Sequence, residues 1–207
     1  PIVLGEARTP VSISPYRDGY LYDFGVNAAG ICRLKIAGMP GQTVRMFHGE
    51  WFHDGILEEQ NLHCRDDAKE MHVQWNQYTC RGEGEETYTP WFSYYGFRYV
   101  YISGVTRQQA TKELLTHIPV HGDFKENGSF FCSDEVANKL QECTRRSTLS
   151  NFLWYPTDCP HREKNGWTGD AAVSAEHMLM NLQVDSSLRE WMRSVAAAQD
   201  DSGALPG

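Results

Sequence analysis

The loop at residues 155–170 contains the side chains whose types and spacing could do chemistry. Asp158, Glu163 and Asp170 place three carboxylates within thirteen residues. Two prolines and two glycines give the same loop fixed bends, so the carboxylates could converge instead of spreading along a helix face. Hydrolysis of a glycosidic bond needs one protonated carboxyl group and one carboxylate. The loop is therefore a candidate site for acid–base chemistry on a sugar.

Each polar side chain of this loop suits a particular role in such chemistry. A carboxylic acid stays protonated near neutral pH when like charges crowd it or when it is desolvated, and Glu163 lies in sequence between Asp158 and Asp170. The two aspartates could accept hydrogen bonds from ring hydroxyls. Arg162 could fix a carboxylate, and Trp167 could stack on the apolar face of a sugar.

The same loop is also compatible with a purely structural interpretation. Asp170 could be only the acidic residue in the first turn of a helix, where it would favour the helix dipole. Glu163 and Lys164 could be ordinary solvated surface charges. Composition and spacing leave both interpretations open, and they do not name a reaction.

The first 120 residues predict the β-structure that must position this loop. Apolar and polar residues alternate in four runs, at residues 30–36, 43–48, 73–79 and 94–102. Glycine-rich turns separate the runs, and no helical periodicity lies between them. This order predicts an antiparallel β-sandwich over residues 1–125.

From about residue 130 the apolar period becomes helical, which predicts a second domain over residues 126–207. A first helix is expected after Ser133 as N-cap, a second near residues 168–170, and a third after Asp185 as N-cap. The residues predicted to face inward are Val136, Leu140 and Cys143, then Ala172, Ala175, Leu179 and Leu182, then Leu188, Trp191, Met192 and Val195. A run of strands followed by a run of helices indicates two domains.

Charge and composition exclude several classes of partner. The formal net charge is −8, and the basic residues form no cluster longer than Arg145 and Arg146, so nucleic acid is not expected as a partner. No apolar run approaches the roughly 20 residues that span a bilayer, so no membrane contact is expected. The six cysteines form no CxxC pair, which disfavours a structural zinc site, and no metal or other cofactor is expected. Reduced, mostly buried thiols favour a cytoplasmic location.

The sequence DCPHREKNGWTGD, residues 158–170, is similar to the motif of glycoside hydrolase family 78, the α-L-rhamnosidases. Four upstream segments, at residues 22–30, 38–44, 48–50 and 94–104, resemble the β-sandwich domain that precedes the catalytic domain in this family. The resemblance implies a concanavalin-like antiparallel β-sandwich followed by an (α/α)6 toroid. About three of the twelve toroid helices would lie in this chain.

The resemblance also implies an activity, the inverting hydrolysis of terminal α-L-rhamnose from a rhamnose-containing glycoside or oligosaccharide. Glu163 corresponds to the general acid of the motif, and Asp158 and Asp170 correspond to residues that hold the rhamnose hydroxyls. Arg162 and Trp167 are expected to line the same subsite. The chain departs from many members at one point, since they have one more residue before Gly-Trp and have Asp-Glu where this chain has Glu163 and Lys164.

The general base of the family is a second glutamate far downstream of this motif. Glu176 and Glu190 lie on amphipathic helices and are predicted to be surface residues, so we expect no base within residues 1–207. The piece alone is therefore expected to lack hydrolase activity. A toroid cut after three helices would also expose apolar helix faces, which would favour a homo-oligomer.

Other functions remain open from sequence. The sandwich could be a non-catalytic carbohydrate-binding module that uses Trp51, Trp75 or Trp91. The toroid could instead belong to a glycosidase of different sugar specificity. A metal enzyme that uses Cys159 and His161 is disfavoured, because Pro160 separates them and the nearby acids lack metal-ligand spacing.

Overall fold

A computed structural model describes residues 1–59, 62 and 73–205. Ten strands are described: β1 Ile2–Leu4, β2 Ser12–Tyr16, β3 Gly19–Ala37, β4 Thr43–Gly49, β5 Phe52–His53, β6 Ile56–Leu57, β7 Trp75–Thr79, β8 Glu85–Tyr88, β9 Tyr95–Ser103 and β10 Leu115–Gly122. Three helices follow: α1 Glu135–Ser150, α2 Thr168–Asn181 and α3 Asp185–Ala197. None of these three helices is long and apolar enough to cross a membrane.

The described residues divide into two compact units. The sandwich unit comprises Leu4–Val120 together with the short segment Pro160–Glu163. The helical unit comprises Pro1–Val3, His121–Cys159 and Lys164–Gly207. Arg162 and Glu163 therefore belong to the sandwich unit, whereas Asp158, Trp167 and Asp170 belong to the helical unit.

Eight of the described strands form one sheet in the order β1-β10-β3-β9-β4-β7, with β2 and β8 also paired to β3. The registers determined for β3 with β2, β8, β9 and β10, and for β4 with β7 and β9, are all antiparallel. The register between β3 and β9 shifts between Asp23 and Ala28, which marks a β-bulge in the long strand β3. Strands β5 and β6 form a separate two-stranded sheet.

Alternation along the strands buries apolar side chains on both faces of the sheet. Leu21, Tyr101 and Phe47 lie opposite one another across β3, β9 and β4, and all three belong to one apolar cluster. Their chain neighbours Tyr22 and Met46 belong to a second, larger cluster. Successive side chains of a strand point to opposite faces, so the two clusters lie on opposite faces of the sheet.

Three of the four alternating runs predicted from sequence coincide with β4, β7 and β9 to within two residues, and the fourth lies in the second half of β3. Strands β1, β2, β5, β6, β8 and β10 and the first half of β3 were not predicted from the sequence. Pro15 lies in β2 and Pro119 in β10, and proline removes a ladder donor and is a signal against a strand. The predicted sequence pattern was therefore weakest where proline or the bulge interrupts it.

Helix α1 begins one residue later than predicted. Its N-cap is Asp134, whose Oδ1 accepts from the amides of Val136 at 2.8 Å and Ala137 at 3.2 Å. The prediction of Ser133 as N-cap was therefore wrong. The prediction that Val136 and Leu140 face inward was also wrong, since they are 77 % and 67 % exposed, and Cys143 is exposed as well.

The buried face of α2 is rotated from the predicted one. Ala171, Met178 and Asn181 are buried in the helix, while Ala172 and Leu179 are exposed and Ala175 is half-buried. Leu182 is buried as predicted, at the C-cap. The sequence AAVSAEHMLMNL has apolar residues on several sides of the helix, so the helical period alone does not choose a face.

Helix α3 includes Asp185 as its first residue, with Val184 rather than Asp185 at the N-cap position. Leu188, Trp191 and Val195 are half-buried, and Met192 is exposed, so the inward prediction is wrong for Met192. The apolar cluster of the helical unit instead consists of Phe152, Met178, Leu182 and Val184, with Phe124, Leu149 and Leu188 against it.

Candidate active site

Two hydrogen bonds between Asp158 and Asn165 close the neck of the carboxylate-rich loop. The amide of Asp158 donates to the carbonyl of Asn165 at 3.0 Å, and the amide of Asn165 donates to Oδ1 of Asp158 at 2.9 Å. Lys164, just before the neck closes, has a left-handed φ of 53°. Asp158 thus shapes the loop with one carboxylate oxygen, and this bond does not prevent the other oxygen from meeting a ligand hydroxyl.

Asp158 and Asp170 line the same cavity of about 360 Å³ in the helical unit. Asp170 lies in the first turn of α2, where its charge also favours the helix dipole. Asp170 can therefore favour the helix dipole of α2 and line the candidate site at the same time. A volume of this size is within the range of small-molecule sites.

The cavity contains polar residues that the sequence analysis missed. Ser174 and His177 on α2 line it, as does Thr148 on α1, and Nδ1 of His177 lies 3.3 Å from Oγ1 of Thr148. Asp170, Ser174 and His177 follow one another at spacings of four and three residues, which places them on one side of a helix. This polar stripe was the signal that could have identified Ser174 and His177.

Trp167 occupies the N-cap position of α2 and makes no side-chain capping hydrogen bond. Its side chain is about one-third exposed. It is not among the residues that line the cavity with Asp158 and Asp170. The role of Trp167 as a stacking residue stays a prediction.

Glu163 and Arg162 form an ion pair within the sandwich unit. One guanidinium nitrogen of Arg162 donates to Oε1 of Glu163 at 2.9 Å, and the two side chains are 36 % and 28 % exposed. Glu163 therefore has a cationic neighbour within its own unit, where the sequence analysis expected crowding by acids. Burial lowers the pKa of the next residue, Lys164, although the Cys159 thiol opposes that shift.

A second polar contact in the sandwich unit involves the same turn. Nδ1 of His161 lies 3.1 Å from Oε2 of Glu50, and both side chains are largely buried. The side-chain amide of Asn27 donates to the other oxygen of Glu50 at 3.0 Å. Glu50 was part of an upstream segment that resembled the family, but the sequence analysis assigned it no role.

The three tryptophans considered for a carbohydrate-binding module differ in how deeply they are buried. Trp75 is half-buried and packs on Phe47, with ring centroids 5.3 Å apart, so it belongs to the apolar packing of the sheet. Trp51 is exposed and stacks on His53, and Trp91 is 81 % exposed. Among the residues described, no three His, Cys, Asp or Glu side chains are grouped so that they could hold a metal ion.

The prediction that Glu176 and Glu190 are surface residues is confirmed. Glu176 on α2 and Glu190 on α3 are exposed, and Glu190 pairs with Arg193 at 3.0 Å.

The prediction that the thiols are mostly buried is wrong for three cysteines. Cys143 is exposed, and Cys132 and Cys159 are half-buried. Cys64 lies outside the described residues.

Comparison with known proteins covers both parts of the chain. A family model described as the bacterial alpha-L-rhamnosidase concanavalin-like domain matches residues 15–121. A second, described as the bacterial alpha-L-rhamnosidase 6 hairpin glycosidase domain, matches residues 125–207. An alpha-L-rhamnosidase of Formosa agariphila is 33 % identical over 187 residues, which are 90 % of this chain and 19 % of that protein.

Two solved structures are similar over almost the whole chain. The alpha-L-rhamnosidase of Streptomyces avermitilis complexed with L-rhamnose has a TM-score of 0.90 and 31 % identity, over 99 % of this chain and 19 % of that one. The alpha-L-rhamnosidase from Dictyoglumus thermophilum has a TM-score of 0.88 and 33 % identity, over 99 % of this chain and 23 % of that one.

These likenesses confirm the predicted fold class, an antiparallel β-sandwich followed by the first helices of an (α/α)6 toroid. The chain spans about a fifth of the length of the relatives that it matches. Family models match both its sandwich and its helices, and the larger of the two matches covers more than half of the chain. The chain belongs to the bacterial α-L-rhamnosidase family.

Proposed function

We propose that the full-length protein containing this chain is an inverting α-L-rhamnosidase that releases terminal α-L-rhamnose from glycosides. One observation supports this most directly. A structure with 31 % identity and a TM-score of 0.90 is a rhamnosidase complexed with L-rhamnose, and the motif at residues 158–170 is present in this chain. The substrate class proposed is a rhamnose-containing glycoside or oligosaccharide.

In this proposal Glu163 is the general acid that protonates the departing glycosidic oxygen. Its side chain is partly exposed, so a substrate oxygen could reach it. The hydrogen bond from Arg162 restricts the orientation of the Glu163 carboxyl group. Glu163 must carry a proton when it acts, so the proposal requires protonation of the oxygen that does not accept from Arg162. The base that activates water is proposed to lie outside residues 1–207.

Asp158 and Asp170 are proposed to accept hydrogen bonds from the hydroxyls of rhamnose. Support comes from their place on one cavity of the helical unit, which also contains His177 and Ser174. Carboxylates are acceptors only, so each can receive a hydroxyl donor without a change of protonation state. Arg162 and Trp167 are proposed to line the same subsite.

The test is hydrolysis of alkyl and aryl α-L-rhamnosides by the full-length protein and by Glu163→Gln. An alkyl alcohol needs a proton to leave, so Glu163→Gln should lower kcat for an alkyl rhamnoside by about 10²- to 10⁴-fold. A dinitrophenyl rhamnoside should lose far less, because its leaving group needs no proton. Glu176→Gln, the same change on an exposed face of α2, is the matched control and should leave both rates unchanged.

Stereochemistry gives a second measurement. Inversion predicts that the first sugar detected by NMR is β-L-rhamnose. Initial release of the α-anomer would contradict the inverting mechanism. Activity of the parent on other α-L-sugars but not on rhamnosides would retain Glu163 as acid and overturn the specificity.

A further inference from the structure

The turn Pro160–Glu163 is attached to the sheet of the sandwich unit by two kinds of contact. One is polar, between His161 and Glu50, and the other is steric, at Gly96 on β9. A Cβ on Gly96 would lie 2.6 Å from Cγ of Pro160 and 2.8 Å from Oε1 of Glu50. Only a residue without a side chain therefore lets the turn and Glu50 approach the strand this closely.

Gly96 is itself held in place by a buried glutamine. The amide of Gly96 donates to Oε1 of Gln74 at 2.9 Å, and Nε2 of Gln74 donates to the carbonyl of Gly96 at 3.0 Å. Nε2 of Gln74 also donates to the carbonyl of His48 at 2.8 Å. Gln74 is 2 % exposed, so its hydrogen bonds to Gly96 and His48 are shielded from solvent.

Glu50 connects the platform to the turn through its two carboxylate oxygens. Oε1 accepts from the side-chain amide of Asn27, and Oε2 faces Nδ1 of His161. Asn27 lies in the stretch of β3 where the register with β9 shifts. Glu50 follows the end of β4, so the carboxylate is positioned by two different strands.

His161 is adjacent in the chain to the Arg162–Glu163 ion pair. A carboxylate beside Nδ1 favours the tautomer with its proton on that nitrogen and fixes the orientation of the ring. Both ring nitrogens of His161 are buried, and neither makes a hydrogen bond of regular geometry among the described residues, so the 3.1 Å approach of Nδ1 to Oε2 of Glu50 is an electrostatic contact. A fixed ring at 161 fixes the backbone from which Arg162 and Glu163 extend.

We infer that Glu50 and His161 are positioning residues for the proposed general acid, with Asn27 orienting the carboxylate of Glu50. This inference rests on the function proposed for Glu163. It assigns to the sandwich unit a part in catalysis, because strands β3, β4 and β9 determine where the acid-bearing turn lies. Neither Glu50 nor His161 is proposed to touch the substrate.

The donor and acceptor pattern around Glu50 provides a decisive set of variants. Glu50→Leu has no polar side-chain atom, so it loses both the hydrogen bond from Asn27 and the contact with His161. Glu50→Gln can keep both, because its Oε1 can face Nδ1 of His161 while its Nε2 donates to Oδ1 of Asn27 once the Asn27 amide turns over. Both variants remove the charge of Glu50, so they differ in whether the two polar contacts remain.

The experiment measures kcat for an alkyl and a dinitrophenyl α-L-rhamnoside in the full-length protein. Glu50→Leu should lower kcat for the alkyl substrate by about 10- to 100-fold, since a misplaced acid transfers its proton poorly. It should lower kcat for the dinitrophenyl substrate by less than about 3-fold, and Glu50→Gln should stay within about 3-fold of the parent on both substrates. Glu83→Gln, an exposed control, should change neither rate.

Equal losses on the two substrates would overturn the inference, because they would indicate a general loss of fold or of sugar binding. A loss in Glu50→Gln as large as that in Glu50→Leu would overturn it as well. Gly96→Ala places a Cβ against Pro160 and Glu50, so it should displace the turn and lower kcat selectively for the alkyl substrate. An unselective loss there would count against a positioning role for the sheet.

A second measurement separates this inference from the proposed function. Inactivity of the parent on every rhamnoside, or a Glu163→Gln variant without leaving-group selectivity, would refute the function. Amide hydrogen exchange at His161, Arg162 and Glu163 then decides the positioning role. Exchange at least about 10-fold faster in Glu50→Leu and close to the parent rate in Glu50→Gln supports it, whereas unchanged exchange in Glu50→Leu overturns it.

Discussion

The sandwich unit and the helical unit bury their apolar residues in different ways. In the sheet, Leu21, Tyr101 and Phe47 form one row across three strands, and the alternate residues enter a separate cluster on the opposite face. In the helices, α3 has no fully buried residue and α1 has only Thr148. The sheet therefore has two extensive apolar clusters, whereas the described helices share a small one around Phe152 and Met178.

This difference shows what each kind of periodicity determines. A strand in the middle of a sheet has neighbours on both edges, so the alternation of period two leaves little choice about which side chains are buried. A helix with apolar residues on several sides satisfies the period of 3.6 with more than one face inward. The two aspartates of the candidate site lie in the less constrained unit, and the proposed acid lies in the more constrained one.

The largest expected effect compares the same substitution in the two units. Phe97 and Phe152 are both fully buried, Phe97 against Phe24 and His117, and Phe152 against Phe124. Phe97→Ala should lower the free energy of unfolding by about 4–5 kcal/mol and Phe152→Ala by about 3 kcal/mol, because the smaller cluster can collapse more readily around a cavity.

Chemical denaturation measures both changes, with circular dichroism separating sheet from helix signals. Phe92→Ala is the control, since Phe92 is fully exposed and its loss should change the stability by less than about 0.5 kcal/mol. An equal or greater loss for Phe152→Ala would break the comparison and show that the helical cluster is as tightly packed as the sheet.

The next largest effect is a dependence of stability on pH that arises from His117, a buried residue of the sandwich unit. Burial, together with smaller electrostatic effects of Arg8 and His48, lowers the pKa of His117 to about 3. Between that value and the ordinary pKa of about 6.5, the unfolded chain binds a proton that the folded chain does not. Stability should therefore fall by up to about 1.4 kcal/mol per pH unit as the pH drops through this window.

Denaturation midpoints between pH 3 and pH 7 measure this dependence. His117→Leu should remove its share of the slope, while His53→Leu, at an exposed position, should leave the slope unchanged. Carboxylates in ion pairs such as Asp23 with Arg98 add their own acid dependence, so the difference between variant and parent is the quantity to compare. A slope that His117→Leu leaves intact would contradict the assignment.

The same contrast explains how much could be predicted from the sequence. Alternation located β4, β7 and β9, and the family motif identified the loop with Asp158 and Asp170, which do line one cavity. The roles of these aspartates and of Glu163 stay predictions. Alternation could not find β10, because the four successive residues 117–120 are all buried and the strand does not alternate. It also could not find contacts between residues distant in the chain.

The contact of Glu50 with His161 is the clearest example of what sequence cannot provide. The two residues are 111 positions apart, and each is an ordinary polar residue in its own local sequence. Their proximity depends on the bulge in β3, the end of β4 and the missing side chain of Gly96 acting together. Such a juxtaposition follows from tertiary structure, since no local periodicity relates the residues.

The smallest expected effect tests how the helical unit begins. Asp134 accepts from two first-turn amides of α1, whereas the sequence pattern predicted Ser133 as the cap. Asp134→Ala should lower the free energy of unfolding by about 1 kcal/mol, and Ser133→Ala should change it by less than about 0.5 kcal/mol. Helix content followed at 222 nm during denaturation measures both. A larger loss for Ser133→Ala would restore the predicted cap and move the start of the helix by one residue.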